Sequence, residues 1–170
     1  MIFRFKMLSD ENDDFFRDYE VPCDMSLLDF HKFICGDLKY DCTAMTSLFL
    51  ADNHWNKLRE FTMADMGFDG VSDDGTEPTP MENVRLSQIV HNNLDRLIYQ
   101  FDMFEDRAYF LEMTEAKKRM QGHEYPAVVD SCGDIPDQFE IRGNSGVNSL
   151  FDEIMADFGD FQGDDDYDDE

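Results

Sequence analysis

Carboxylates dominate the reactive side chains of this sequence, and their most suggestive grouping lies in YQFDMFEDRAYFLE, residues 99–112. Two carboxylates that converge on one water or one divalent cation can carry out acid/base or metal-assisted hydrolysis. The set here would be Asp102, Glu105, Asp106 and Glu112, with His54 brought in from elsewhere as an imidazole. Glu105 and Asp106 are neighbours, so on an extended chain they point to opposite faces. Asp102, Asp106 and Glu112 share one side only if the turn between them adds no register shift. The plainer reading is a tight, exposed acidic connection, residues 102–107, between two aromatic strands. Phe104 at its tip then marks a contact surface.

Other constellations carry less. His31 and Cys35 are spaced i, i+4, which can hold a metal, but no paired motif supplies a third and fourth ligand. They are expected to be a structural or exposed pair. Asp69, Asp73 and Asp74 lack the alternate spacing and distal Glu of a calcium loop. GNSGV, residues 143–147, misses the nucleophile-elbow spacing by one residue, and no His follows it. No Gly-rich loop leads into a helix with a Lys, so a phosphate cradle is missing too. No catalytic residue, cofactor or resident metal is expected. The alternative, a divalent-metal hydrolase, would rest on Asp102, Asp106, Glu112 and His54.

Charge narrows the partner class. The chain carries 39 acidic against 14 basic residues, a formal charge of −25. Such a field repels phosphate backbones and anionic lipid surfaces and attracts basic partners. Direct nucleic-acid binding is not expected, because no basic stripe is visible. No apolar run reaches the ~18 residues of a membrane span. The N-terminal MIFRFKML alternates apolar and basic residues without a cleavage site, and Cys23, Cys35, Cys42 and Cys132 show no C-x-x-C spacing. A cytoplasmic protein with reduced thiols is expected.

The elements that must position these residues follow from periodicity. Phe3, Phe5 and Met7 alternate with Arg4 and Lys6, and Phe15, Arg17, Tyr19 and Val21 share a second face beyond the polar SDENDD turn, so the chain opens with an antiparallel hairpin. Ser26 with Asp29 forms a helix start, and Leu27, Phe30, Ile34 and Leu38 recur at helical spacing until Gly36 weakens the end. Residues 47–51 and 58–63 read as strands joined around Trp55, which is expected to be half buried there. Residues 67–80 form a Gly/Pro/Asp loop, 86–92 a short helix, 97–101 and 108–113 the acidic hairpin, and 125–129 a short extended piece. This is a single α+β domain of antiparallel hairpins packed with two helices, residues 1–138. Residues 139–170 form an acidic C-terminal arm. In it Leu150, Phe151, Ile154, Met155 and Phe158 share one face of a helix near 147–158, and GDDDYDDE follows as a solvated, disordered tail. A helix this short needs a docking surface, on its own domain or on a partner.

The segments TSLFLADNHWNKLREFTMADMG, YQFDMFEDRAYFLE and YPAVVDSCGDIPDQ, in that order, resemble the plasmid pRiA4b ORF-three-like family, also labelled insertion-element passenger TnpR-like proteins, and its Bacteroidetes-type branch. The likeness covers roughly residues 1–138 and implies a single α+β domain of unassigned biochemical role. The family hairpin reads Y-x-Y-D-F-G-D-D-W-x-H. Tyr99, Phe101, Asp102 and Asp106 match it, while Phe104 replaces the Gly, Glu105 an Asp, Arg107 the Trp and Tyr109 the His. A chain that has lost the imidazole is not expected to inherit a metal or acid/base site from that motif. A resolvase-like chemistry is not expected either, since a nucleophilic Ser among several Arg and a basic DNA-binding element are both missing.

The functional expectation is a non-catalytic interaction or adaptor protein that binds basic protein surfaces. Its contact residues would be Phe104, Glu105, Asp106, Phe151, Ile154, Met155 and Phe158. A weaker alternative is an acidic nucleic-acid mimic that occupies a basic groove through the Asp tail.

Overall fold

The computed structural model describes residues 1–64 and 77–139. The expected arm helix, with Phe151, Ile154, Met155 and Phe158, and the Asp-rich end lie outside the described residues. Among the described residues eight strands form one sheet: β1 (Ile2–Ser9), β2 (Phe16–Pro22), β3 (Ser47–Ala51), β4 (Lys57–Thr62), β5 (Thr79–Pro80), β6 (Arg96–Asp102), β7 (Arg107–Lys117) and β8 (Ala127–Cys132). Their order across the sheet is β5-β4-β3-β6-β7-β1-β2-β8. Every pairing is antiparallel except β4 with β5. Among the described residues two α-helices, α1 (Leu27–Leu38) and the single turn α2 (Leu86–Ile89), complete an α+β domain.

Period-two alternation makes the sheet two-faced. Phe3, Phe5, Met7, Tyr19, Leu48, Leu97, Tyr99, Phe101, Tyr109, Leu111 and Met113 point one way and bury Phe30, Ile34 and Leu38 of α1 beneath them. Fully burying each large apolar side chain contributes on the order of 1.5–3 kcal/mol. The opposite face is mostly ionic over β1 and β2. Arg4 pairs with Asp18 at 2.6 Å, Lys6 with Asp18 at 3.3 Å, and Lys117 with Glu20. Over β3, β6 and β7 that face is aromatic, with Phe49, Trp55 and Phe110 sealing Ala51, Ile98 and Ala108. Trp55 sits half-buried in the β3–β4 connection, edge-on to Phe110 at 5.2 Å and under the Arg96 guanidinium at 4.6 Å.

The helix signals act as read at one end and differently at the other. Ser26 Oγ accepts from the Asp29 amide at 3.0 Å and donates to the Asp29 carboxylate at 2.9 Å. Termination falls to Lys39, whose φ of 60° turns the chain out of α1, rather than to Gly36. Several boundaries differ from the sequence reading, the following by the most. The residues 67–80 loop ends in β5, α2 is shorter than residues 86–92, β7 runs on to Lys117, and β8 reaches Cys132. After β8, Gly133 adopts φ +76° and passes so close to Asp14 and Phe15 that a Cβ would lie 2.7 Å from their backbone. That position needs glycine twice over.

Candidate functional site

The connections at one end of the sheet converge: β1–β2, α1–β3, the β6–β7 turn, and the segment after β8. Within them the acidic hairpin resolves into a wet tip and a dry base. At the tip, Asp102 Oδ1 accepts from the amides of Phe104 and Glu105 at 3.0 and 3.1 Å, so this carboxylate is spent on closing the turn. Asp106 adopts φ 52° and lies exposed, with its Oδ1 held by Gln100 and by Lys57 Nζ at 3.3 Å. Glu105 is exposed as well. Phe104 is 95% exposed on top of this fastened turn.

Arg107 corrects the sequence reading, which placed it in the exposed connection. It is the first residue of β7, only 3% exposed, and it points into the fold. Its guanidinium forks onto Glu11, Nε to Oε1 at 2.7 Å and a second nitrogen to Oε2 at 3.0 Å. The remaining donors reach the carbonyls of Asp137 at 2.6 Å and Gln138 at 3.0 Å. It lies over the Phe101 ring at 4.8 Å. The hydrogen bonds that Arg107 donates to Glu11 raise the Arg107 pKa further, against the burial that lowers it. Beside it the Tyr40 hydroxyl donates to the Pro136 carbonyl, so the Tyr109 hydroxyl, 2.6 Å away, donates to Tyr40. Burial pushes the Tyr40 phenol up to about 12 and the Tyr109 phenol higher still. Gln138 closes the cluster by exchanging two hydrogen bonds with the Asp41 backbone, at 2.6 and 3.0 Å. Three successive carbonyls, 136 to 138, are thus held by Tyr40 and Arg107. The chemistry of this cluster is fastening, since every polar group already has its partner.

The carboxylates singled out for a metal are not brought together. Glu112 sits partway up β7, paired with Arg96 at 2.9 Å. His54 lies in the β3–β4 connection, whose Asp52 carboxylate accepts from the His54 amide at 2.8 Å. The register Ala51↔Arg96 and Ser47↔Gln100 puts that connection at the end of the sheet remote from Asp102. Among the described residues, no three His, Cys, Asp or Glu side chains form a group able to hold a metal.

His31 and Cys35 do meet, inside the core. His31 Nε2–H donates to the Cys42 carbonyl at 3.0 Å, which leaves Nδ1 to accept from the Tyr99 hydroxyl at 2.8 Å. The Cys35 sulfur is 3.2 Å from the same hydroxyl. Burial lowers the His31 pKa and raises the Cys35 thiol. A neutral imidazole beside a protonated thiol is a satisfied polar core, not an activated nucleophile.

A cleft of about 510 Å³ that sequence reasoning missed adjoins the tip. Met45, Ser47, Glu60, Thr62, Met63 and Met103 line it. Its floor is the outward side of β3 and β4, by the pairs Ser47↔Thr62 and Phe49↔Glu60. The nearest sequence signal was Met103, an apolar residue inside the acidic turn.

The model for plasmid pRiA4b ORF-3-like proteins matches residues 2–165. The chain belongs to that family. Membership extends beyond the expected limit at residue 138 and takes in most of the arm sequence. A crystal structure of a protein of unknown function from Methanosarcina mazei Go1 is similar in fold, with a TM-score of 0.61 at 16% identity, over 96% of this chain and 84% of that one. Among curated proteins none matches. Against the pRiA4b ORF-3-like hairpin motif, the His position is filled by buried Tyr109 and the Trp position by buried Arg107. Both point into the fastening cluster, whereas the motif's Gly position carries exposed Phe104. No helix among the described residues is long and apolar enough to cross a membrane.

Proposed function

We propose that this pRiA4b ORF-3-like protein is a non-catalytic interaction module that binds basic protein partners through the Phe104 end of its sheet. The observation that carries the reading is Phe104 itself, 95% exposed on a turn fastened by Asp102 and flanked by Glu105 and Asp106. A rigid, solvent-facing aromatic ringed by charge is the kind of residue that dominates binding energy at protein interfaces, and the surrounding carboxylates select cationic partners.

The distribution of cations supports the same reading. Arg4, Lys6, Arg17, Lys57, Arg96, Arg107 and Lys117 all form ion pairs within the domain. Half of the 14 basic residues are thus taken up in ion pairs within the domain, and the formal charge of −25 favours basic partners. The arm adds Phe151, Ile154, Met155 and Phe158 as a second contact set, and its terminal acids steer association. On this reading the protein works in the cytoplasm, in company with an insertion element of Bacteroidetes type.

The test is affinity capture from the native cell at low and high salt. A basic protein retained at low salt and released at high salt is the expected result. Capture dominated by acidic proteins, or insensitive to salt, contradicts the proposal.

A further inference from the structure

We propose that the cleft beside the hairpin tip is a socket for an arginine or lysine side chain, with apolar neighbours, presented by a basic protein partner. This deepens the interaction reading and rests on it. The cleft walls are Met45, Met63 and Met103, flexible and polarizable side chains that adapt to varied apolar shapes. Met45 and Met103 are exposed, at 55% and 42%, although the core could have taken such side chains in. A volume of about 510 Å³ lies within the range of ordinary ligand pockets.

One carboxylate sets the sign of the ligand. Glu60 is only partly exposed, and its Oε1 accepts from the buried Ser47 hydroxyl at 2.7 Å. That bond orients the carboxylate without neutralising it. Among the described residues no cation pairs with Glu60: Lys57 reaches Asp106, and Arg59 reaches Thr79 and the Phe61 ring. Glu77 is a second acid in the lining. Phosphates and carboxylates are repelled from such a site. A cation on a hydrocarbon stem satisfies both the methionine walls and Glu60. Because Met103 lines the cleft and precedes Phe104, socket and aromatic tip form one continuous contact surface.

The full-length protein with ¹³C-methyl-labelled methionines, titrated with N-acetyl-Leu-Arg-Leu-Arg-amide, tests this by NMR. The Met45, Met63 and Met103 methyls should shift together and saturably while core Met7, Met81 and Met113 stay put. The charge-reversed peptide N-acetyl-Leu-Glu-Leu-Glu-amide should leave all of them unmoved. Glu60→Gln, which keeps an acceptor for Ser47, should weaken the cationic peptide about tenfold, equivalent to about 1.4 kcal/mol. Met103→Ser should weaken it as well, so the outcome does not hang on one variant's folding. Equal response to both peptides, or undiminished binding by both variants, overturns the socket. Leu150→Asp with Phe151→Asp shifting the same three methyls without peptide would show that the arm occupies the cleft, and that also overturns it. Loss of the socket leaves the interaction reading separately readable, because cellular capture compared between the wild type and Phe104→Ser is scored without these methyls.

Discussion

Asp106 and Arg107 are adjacent in the chain and opposite in fate. The Asp106 side chain is 80% exposed at the tip of the hairpin, whereas the Arg107 side chain is 3% exposed at its base. Alternation explains the split. Arg107 has the parity of Tyr109 and Leu111, so continuing β7 one residue back puts its guanidinium inside, and Asp106 with φ 52° belongs to the turn. A charged residue one step from a turn is therefore judged by strand parity rather than by its own polarity. The comparison also separates two jobs. The base locks the segment after β8 against the α1–β3 connection and β7, and the tip is left with an aromatic side chain that stabilises nothing within the described fold.

The largest effect should come from breaking the base. Arg107→Ala removes the guanidinium that forks onto partly buried Glu11 and frees the 137 and 138 carbonyls, at a cost of about 3–5 kcal/mol. Urea unfolding checks this, and Arg107→Lys should recover only part, because an ammonium cannot fork onto the carboxylate. A loss under about 1 kcal/mol would mean the cluster is solvated and the comparison with the tip fails. Next comes Leu111→Ala, in the fully buried centre of β7, expected to cost about 2–4 kcal/mol by the same measurement.

A smaller, pH-dependent effect sharpens the picture of the interior. The His31 pKa is lowered in the fold, chiefly by burial. Below an unfolded value of about 6.5 the unfolded chain takes up a proton that the folded chain refuses, so this contribution to stability is present above that pH and declines as pH falls. The melting temperature of the wild type should drop more steeply between about pH 7 and about pH 5.5 than that of His31→Gln, which lacks the titrating ring. Parallel slopes would show that the Tyr99–His31–Cys42 network tolerates the imidazolium.

Much of the fold was legible because it is written locally. The alternation of Phe3, Phe5 and Met7, the Ser26–Asp29 cap and the helical recurrence of Leu27, Phe30, Ile34 and Leu38 each act within a few residues. What escaped depends on distant partners. β5 exists only because Thr79 and Pro80 lie parallel to Phe61 and Thr62. The last residues of β7, Glu115 to Lys117, carry no apolar alternation and are strand because they pair with Ile2 to Arg4 past a register shift. Glu11 read as one more acid in a polar turn, and its partner is 96 residues away. Phe104 was visible as an anomaly, an aromatic residue among acids, and the structure puts it at the exposed tip. The cleft escaped as well, since Met45, Glu60 and Met103 come from three different segments.

The smallest stability effect and the largest binding effect should coincide at Phe104. Phe104→Ser removes an exposed side chain, so its unfolding free energy should stay within about 0.5 kcal/mol of wild type. Quantitative capture from the native cell with the wild-type and Phe104→Ser proteins side by side, at equal melting temperature, tests the central claim most directly. The account predicts that the basic partner retained by the wild type is lost from the variant. The same partner recovered in the same amount by both proteins would contradict it.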